Sequence, residues 1–221
     1  MEILDTTVLY FTSDTEDERF TERVREKILE LKGDLPLVSV SQKPLSNFGK
    51  NICVGVHDNC YANQFRQVQI GLNEVTTPFV TVAEADYLYP PEYFAFRPTE
   101  IIPYYRYDNV WVCYHLRGKK PWFYFKGNSN GCQVINKEFW LNDINPALDG
   151  KKEWFNKDDP MPPIPRVPTD RNYLWKSDNP AITFKTGRGV RTHTTVIKKV
   201  LPKHTLPYWG SADEIRKEMF G

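Results

Sequence analysis

The chain has no long apolar run and little cysteine, and each lack excludes a class of protein. No stretch approaches the ~20 consecutive apolar residues that a membrane-spanning helix needs. The first five residues, MEILD, have no basic region followed by an apolar stretch, as a secretory leader would have. The four cysteines are too few and too irregularly spaced for a disulfide framework. We therefore expect a cytoplasmic protein without a membrane span.

The cysteines leave one metal alternative open. Cys53, His57 and Cys60 are close in sequence, and Cys113 or His115 could supply a fourth ligand to a structural zinc ion. No Cys-x-x-Cys pair supports this site, and free cysteines are usually small apolar groups in the core. The sequence therefore favours free cysteines over a zinc site.

Several enzyme signatures are also absent. The first predicted strand is followed by no Gly-x-Gly-x-x-Gly turn, and the chain has no Gly-Lys-Ser/Thr phosphate loop. These absences argue against a dinucleotide-dependent oxidoreductase and a phosphate-loop NTPase. No Gly-x-Ser-x-Gly elbow occurs at a predicted strand-to-helix turn, which argues against a Ser-His-Asp hydrolase.

The composition that is present fits one globular domain over residues 1–221. Hydrophobic residues make up 40% and charged residues 26%, while aromatic residues, at 14%, and the 17 prolines are more frequent than usual. The net charge is +1, but residues 186–204 contain five bases and no acid. Such a basic segment can face a phosphate-bearing ligand, or it can be a solvated surface.

Strand and helix patterns alternate through the first half of the chain. Apolar strands are predicted at residues 6–11, 37–41 and 78–83, with helical periodicity at 15–33 and 58–75 between them. This alternation predicts right-handed crossovers and a largely parallel sheet.

The ends of the first helix and the second half of the chain are predicted from local signals. Thr15 and Glu18 fit a capping box, and Gly33 would end the helix. The second half has strand patterns that predict antiparallel additions to the sheet, the start of a short helix at residues 138–141, and a C-terminal helix capped at Ser211. Those strand patterns lie at residues 109–115, 122–125 and 132–135.

Two carboxylates separated by one residue end the third predicted strand. Glu84 and Asp86 follow the apolar run, and Pro90 and Pro91 stop the element beyond them. In an open α/β sheet, ligands bind outside the carboxyl ends of the strands. If the three strands are parallel, their ends bring one set of polar side chains to the same rim: Thr12, Ser13, Gln42, Lys43, Glu84 and Asp86.

This rim suits a nucleoside diphosphate. A hard cation, Mn²⁺ or Mg²⁺, bound by carboxylates would bridge the phosphate oxygens, and Arg66 or Lys43 would add positive charge. When a diphosphate-sugar donor loses its sugar, negative charge grows on the diphosphate, and metal and cations stabilise it. The acids at the strand end are explained by that leaving group.

The first ~95 residues resemble the nucleotide-binding half of GT-A-type glycosyltransferases, in particular family 2-like ones, in which Asp-x-Asp ends a central strand. Here the motif is Glu84-Ala85-Asp86. The resemblance implies a GT-A-like, Rossmann-like α/β fold with a mixed, mainly parallel central sheet and flanking helices. Residues 1–95 would form the nucleotide-binding half, and residues 96–221 the acceptor half and C-terminal tail.

The same resemblance assigns site residues. Asp86 would be the metal ligand, Glu84 would contact the ribose or the metal, and residues 128–133 resemble the acceptor region. GT-A enzymes often return a C-terminal histidine to the metal, and residues 186–193 are similar to such a segment. Within it, His193 would be the metal ligand, and two arginines, Arg188 and Arg191, would supply charge to the phosphates.

No catalytic base stands out. Inverting enzymes of this type place an acid near the acceptor, whereas retaining enzymes need none. Asp143, Glu153 and His115 are the candidates we retain, and the stereochemistry is left open. Other loop acids are equally compatible with the pattern, namely Asp149, Asp158 and Asp159.

The acceptor is open as well. Residues 119–126 combine lysines with aromatic residues, which would suit a polyanionic acceptor such as a hydroxymethylated DNA base, although aromatic residues of a strand can equally fill the core. The sequence therefore predicts a glycosyltransferase that uses a nucleotide-sugar, with a UDP-sugar as the first choice. Two alternatives are a non-catalytic nucleotide-binding or assembly module of the same fold and, without a glycine-rich basic loop to support it, a nucleotidyltransferase.

Overall fold

The computed structural model describes residues 4–115, 119–163, 172–185 and 195–221. The first half of the chain contains β1 (Thr6–Phe11), α1 (Glu18–Leu31), β2 (Leu37–Ser41), β3 (Lys50–Cys53), α2 (Tyr61–Glu74), β4 (Phe79–Glu84), β5 (Tyr87–Leu88), α3 (Pro91–Ala95), β6 (Tyr104–Tyr107) and β7 (Val110–Tyr114). The second half contains β8 (Trp122–Gly127), β9 (Gln133–Asn136), α4 (Lys137–Leu148), β10 (Asn172–Trp175), β11 (Ala181–Lys185), β12 (Thr205–Leu206), β13 (Gly210–Ser211) and α5 (Ala212–Phe220).

The strand that carries the acid motif, β4, lies in the middle of a seven-stranded sheet. The strand order is β10-β6-β9-β4-β1-β2-β3. β4, β1, β2 and β3 are mutually parallel, and β9 adds to β4 in the antiparallel direction. Phe11 pairs with Glu84 across β1 and β4, so the two strands end at the same level. The prediction of a mixed, mainly parallel α/β sheet with flanking helices is confirmed.

Alternating side chains of the parallel strands bury against helices on opposite faces of the sheet. Val8 and Tyr10 belong to the same apolar cluster as the buried face of α1, whereas Leu9 packs with α2. A Cβ atom at Gly71 of α2 would lie 2.5 Å from Leu9 Cδ1, so glycine lets the helix approach the strand closely. Continuous burial along β1 and β4 is what a strand covered on both faces requires.

A second, four-stranded sheet has the order β5-β11-β7-β8. β5 directly follows the acid motif, and β11 pairs with it in the antiparallel direction. We expected β7 and β8 to extend the parallel sheet, and this is wrong for both strands. They instead form a separate sheet with β11, because β7 pairs in parallel with β11 and antiparallel with β8.

Helix boundaries agree with the sequence in part. The expected capping box at Thr15 and Glu18 is wrong, because Asp17 caps α1 and accepts a hydrogen bond from the Phe20 amide. The predicted box at Ser211 is confirmed. α4 continues well past the short helix expected at residues 138–141. No helix in the described ranges combines the length and apolarity that a membrane span demands.

Candidate functional site

The carboxyl ends of the parallel strands open onto one cavity of about 420 Å³. β1 continues into its wall with Thr12 and Ser13, β2 with Gln42, and β4 with Glu84 and Asp86. The structure therefore places five of the six side chains expected at this rim around a single space. The sixth, which belongs to a lysine, lies elsewhere and is described below.

A local clamp positions the β1 and β2 side of the cavity. Asp14 adopts a left-handed backbone conformation, with φ of 52°, which a short polar side chain tolerates. Its carboxylate accepts hydrogen bonds from the backbone amides of Gln42 (2.6 Å) and Lys43 (2.9 Å). The turns after β1 and β2 are thereby held together, and Gln67 of α2 adds a bond of 2.8 Å to the Thr12 carbonyl.

Hydrogen bonds with buried tyrosine hydroxyls position the acid motif. The Glu84 amide donates to Tyr89 Oη at 2.8 Å, and that hydroxyl donates to the Gly131 carbonyl at 2.8 Å. Tyr87 Oη and Ser129 Oγ lie 2.7 Å apart in the buried layer beside them. The acid turn is thus joined to the segment that precedes β9, at residues 128–131, and this segment lines the cavity.

Asp86 forms a nearly buried ion pair with Lys185, the last residue of β11. Lys185 Nζ lies 2.6 Å from Asp86 Oδ2, and the Thr183 hydroxyl donates to the same oxygen at 3.2 Å. The two charged side chains are only 7% and 15% exposed, for Lys185 and Asp86 respectively. Backbone pairing supports the contact, because the Phe184 amide donates to the Asp86 carbonyl at 2.9 Å.

Lys126 of β8 and Arg106 of β6 bring two more positive charges to the cavity wall. Lys126 Nζ donates to Tyr87 Oη at 3.3 Å, and burial, followed by the charge of Lys185, lowers the pKa of this lysine. Arg106 donates to the Asn130 side chain at 3.1 Å, and burial lowers its pKa as well. Acids and bases therefore face each other across the cavity.

Arg106, Lys126 and Lys185 line the cavity but were not predicted from the sequence to do so. The apolar run before Lys185 carries a usable signal, since AITFK is a buried strand pattern that ends in a charge, as the run before Glu84 does. Lys126 was noted only as part of a basic, aromatic segment. In the structure Phe123 of that segment is fully buried, and Trp122 is 40% exposed.

A second cavity of about 330 Å³ adjoins the first one and shares Glu84, Arg106 and Asn130 with it. Asp143 of α4 lines this cavity and accepts a hydrogen bond from the Tyr104 hydroxyl. Phe11 and Tyr61 also line both cavities, and the remaining wall of the second one is mostly apolar or aromatic, with Phe65, Val68, Trp140 and Ile144. The arrangement offers a carboxylate and a ring-lined surface next to the acid motif.

The other two candidate bases lie elsewhere. Glu153 is exposed, and His115 directly follows β7. Neither is among the described residues that line the two cavities. Of the three candidates, the geometry therefore brings Asp143 alone next to the shared wall.

Among the described residues that line the two cavities, neither Lys43 nor Arg66 is present. Lys43 is exposed and borders a separate surface depression beside Asp14. Arg66 donates to the carbonyls of Leu148 (3.1 Å) and Glu153 (3.0 Å) and thereby joins α2 to the end of α4 and to the segment after it. The structure therefore places both side chains at other parts of the surface.

Three predicted phosphate or metal contacts, Arg188, Arg191 and His193, lie outside the described residues.

The structure does not bring together the cysteine and histidine side chains of the alternative zinc site. Cys113 is buried, Cys53 is exposed, and His57 stacks on Trp154 with ring centroids 3.7 Å apart. Within the described ranges, no three His, Cys, Asp or Glu side chains are grouped to hold a metal ion.

The described residues, as arranged, do not fit a divalent cation at the acid motif. One of the two Asp86 carboxylate oxygens, Oδ2, already accepts from an ammonium and a hydroxyl group. Glu84 would be the second ligand, and the described part of the chain supplies no third acidic, His or Cys ligand beside them.

One motif with hydrolase-like spacing also lies at the site. Gly127-Asn128-Ser129-Asn130-Gly131 has the Gly-x-Ser-x-Gly spacing, but it joins β8 to β9 and is not a strand-to-helix elbow. The Ser129 hydroxyl bonds to Tyr87. The structure therefore gives this serine the role of a wall residue.

No family model matches the chain. A search of curated proteins gives no match either. Among solved structures, the chain is similar to "Mannosyltransferase PcManGT from Pyrobaculum calidifontis in complex with GDP-Man and Mn2+", with 14% identity and a TM-score of 0.42 over 72% of this chain and 50% of that one. The chain therefore spans about half the length of that protein.

Two further structures are similar to the chain. Mannose-1-phosphate geranyltransferase from Thermus thermophilus is 8% identical with a TM-score of 0.42, over 82% of this chain and 74% of that one. The apo-form glycosyltransferase GlyE in Streptococcus pneumoniae is 13% identical with a TM-score of 0.35, over 67% of this chain and 41% of that one.

Proposed function

We propose that the chain is a glycosyltransferase of GT-A-like fold that moves a sugar from a nucleoside diphosphate sugar, a UDP-sugar in the first instance, to an acceptor hydroxyl. One observation carries the proposal: the ends of β1, β2 and β4 open onto a single cavity in which the two carboxylates of the acid motif face three cationic side chains, while Glu16 and Asp58 add two further carboxylates to the wall. Ligands of open α/β sheets bind at such strand ends.

In the reaction, the acceptor oxygen forms a bond to the anomeric carbon while the bond from that carbon to the diphosphate oxygen breaks. The electron pair of the broken bond goes to the diphosphate, and the acceptor proton goes to a base. Thr12, Ser13 and Gln42 would contact the nucleoside, since they lie on the β1 and β2 side. Cationic groups across the cavity would stabilise the charge that develops on the leaving diphosphate.

The second cavity supports an acceptor site. It shares a wall with the donor cavity, so an acceptor there would lie next to the sugar. Asp143 is our proposed base for an inverting reaction, because its carboxylate lines this cavity and its hydrogen bond to Tyr104 fixes its direction. A DNA acceptor, such as a hydroxymethylated base, stays a prediction of the basic, aromatic segment at residues 119–126.

Metal use stays a prediction from the resemblance. It would place Mn²⁺ or Mg²⁺ on Asp86, Glu84 and His193, and such an ion would supply positive charge to the diphosphate. In the structure Asp86 is paired with Lys185, which would have to release it before a metal ion could bind in this way.

Donor binding is tested with a thermal-shift panel of UDP- and GDP-sugars, measured with EDTA, Mn²⁺ and Mg²⁺. A ligand at ~100 times its Kd adds about 2.7 kcal/mol of stability, which raises the Tm of a domain of this size by roughly 5–10 °C. We expect Asp86→Asn to abolish the shift produced by the best donor. Asp34→Asn, which changes an exposed acid outside the cavity, is the matched control. Donor binding is the wrong assignment if no nucleotide-sugar shifts the Tm of the unmodified chain.

The second candidate is a non-catalytic nucleotide-binding module, favoured by the substituted first acid, Glu84, and by the engagement of Asp86 with Lys185. Release of free sugar from a bound donor separates the two. Turnover in the unmodified chain that disappears in Asp86→Asn supports the enzyme, whereas tight binding with no release of sugar at any acceptor or metal concentration supports the module.

A further inference from the structure

We propose that Lys126 and Lys185 form the cationic site for the donor's diphosphate, so that nucleotide binding here requires no divalent metal ion. This inference rests on the proposed function, and it concerns the groups that take the charge of the leaving group. The resemblance to GT-A enzymes predicts a metal in that role, so the two expectations exclude each other.

The position of Lys185 is the first reason. Its ammonium group lies 2.6 Å from Asp86 Oδ2, where it would compete with a metal ion for that oxygen. Backbone pairing between β11 and β5 fixes Lys185 beside the acid turn, and the side chain is only 7% exposed. A cation fixed in this way meets an incoming phosphate without being recruited from solution.

The second reason is Lys126, because the ion pair between Lys185 and Asp86 does not explain why a second lysine lies in the same cavity. Its Nζ donates to the neutral hydroxyl of Tyr87, and no carboxylate of the described residues lies within ion-pair distance of it. The residue is half-buried and lines the same cavity as Lys185. A half-buried ammonium without a carboxylate partner is costly unless an anion is bound near it.

The cationic groups suit a diphosphate, which in a nucleotide-sugar has one negative charge on each phosphate. Asp86 balances the charge of Lys185, whereas Lys126 and Arg106 add two positive charges to the same wall that no carboxylate of the described residues pairs with. Burial and the repulsion between the two lysines lower the pKa of Lys126. The charges of Asp86 and Glu84 oppose that repulsion in part, and a bound diphosphate would offset it further. Hydrogen bonds from ammonium to phosphate oxygens are among the stronger ones in proteins.

Binding of the diphosphate by the two lysines would also assist the reaction. The broken bond leaves its electron pair on the outer phosphate, and a nearby ammonium group stabilises that charge without releasing a proton. Asp86 would orient Lys185 toward the phosphate. In this account Asp86 is a positioning residue for a lysine, whereas in the metal account it is a direct ligand.

The test is a calorimetric titration of UDP and GDP into the full chain, in buffer with EDTA and again with Mn²⁺. We expect binding in EDTA with an affinity within about threefold of that in Mn²⁺. Lys185→Met and Lys126→Met should each weaken binding in EDTA by about tenfold or more, the loss of one charged hydrogen bond. Lys50→Met is the matched control, because Lys50 also pairs with a carboxylate, that of Glu74, but on the exposed edge strand.

Lys185→Met leaves Asp86 unpaired in a nearly buried position, so the variant can lose its fold. The double variant Asp86→Asn/Lys185→Met removes both charges and keeps the chain testable. It should be as defective as Lys185→Met in EDTA, and Mn²⁺ should not restore it. Lys185→Arg, which keeps the charge, should retain most of the affinity.

Three results overturn the inference. If binding appears only with Mn²⁺, a metal ion and not the lysines balances the charge of the diphosphate, and the proposed function still stands. If the nucleotide binds without metal and neither lysine variant weakens binding, the diphosphate binds elsewhere in the molecule. No binding of any nucleotide under either condition removes both the inference and the function on which it rests.

Discussion

Gly131 is in contact with the acid motif at a distance that only glycine allows. A Cβ atom there would lie 2.6 Å from the Tyr87 ring and 3.1 Å from the Glu84 carboxyl carbon. Because Glu84 and Tyr87 line the cavity at the strand ends, we expect Gly131→Ala to displace both side chains. Overpacking of this kind costs about 1–3 kcal/mol.

The variant should therefore lose both stability and nucleotide affinity. The measurements are a Tm by calorimetry and a UDP titration at a temperature at which the variant is folded. Gly150→Ala is the control: Gly150 has φ of 70° and nothing within 4 Å of the added atom, so the change strains the backbone far from the cavity. Equal affinity in the two variants would show that this part of the cavity wall is not part of the donor site.

The cysteines give a second test at the residue scale. Burial raises the pKa of Cys113 to about 12 and that of Cys132 well above its ordinary value, so both are protonated thiols at neutral pH. Cys53 is exposed. Since the thiolate is the reactive form, iodoacetamide at pH 8 should modify Cys53 in the folded chain and leave the two buried cysteines unmodified until it unfolds.

Mass spectrometry of the alkylated chain, with and without denaturant, decides this prediction. Rapid modification of Cys132 in the folded chain would mean that the wall behind the acid motif is open to solvent.

Among the elements, α2 depends on an arginine that the sequence assigned to the donor site. Arg66 donates to the carbonyl of the last residue of α4 and to a carbonyl of the segment after it, so its loss leaves acceptors without a donor. We expect Arg66→Met to lower the free energy of unfolding by about 2 kcal/mol. Arg19→Met, on the exposed face of α1, should change it little.

Chemical denaturation measures the stability of both variants, and a UDP titration measures their affinity. An Arg66→Met variant of full stability and impaired nucleotide binding would restore the original assignment of Arg66 to the phosphates.

The elements that could be predicted from the sequence are those with strong local signals. β1, β2 and β4 have continuous apolar runs, and α1 and α2 have helical periodicity, so their positions followed from the sequence. The cap of α1 did not, since Asp17 and Thr15 offer the same chemistry two residues apart. β3 was missed because it is a short, polar edge strand of sequence KNIC.

Strands of the second half depend on distant partners. β11 was missed, and β7 was placed in the wrong sheet, because the two pair with each other across about 70 residues. Such pairing leaves no periodicity in the sequence beyond a short apolar run. Antiparallel addition of β9 to β4 was nonetheless predictable in kind, since mixed sheets of this type often have antiparallel strands.

For the whole molecule, topology explains which half of the site could be predicted. Parallel strands joined by helices must end on the same side, so Thr12, Gln42 and Glu84 could be placed together from their positions in the chain. The cationic half could not. Lys185 meets Asp86 across 99 residues, through a second sheet that no local pattern indicates.

The central claim is that the cavity at the ends of β1, β2 and β4 binds a nucleoside diphosphate. A crystal structure of the chain with UDP or GDP, grown in EDTA and again with Mn²⁺, tests it most directly. We predict the diphosphate beside Lys126 and Lys185 and the nucleoside against Thr12 and Gln42. A nucleotide bound away from these strand ends, or a cavity that stays empty at saturating nucleotide, would contradict the account.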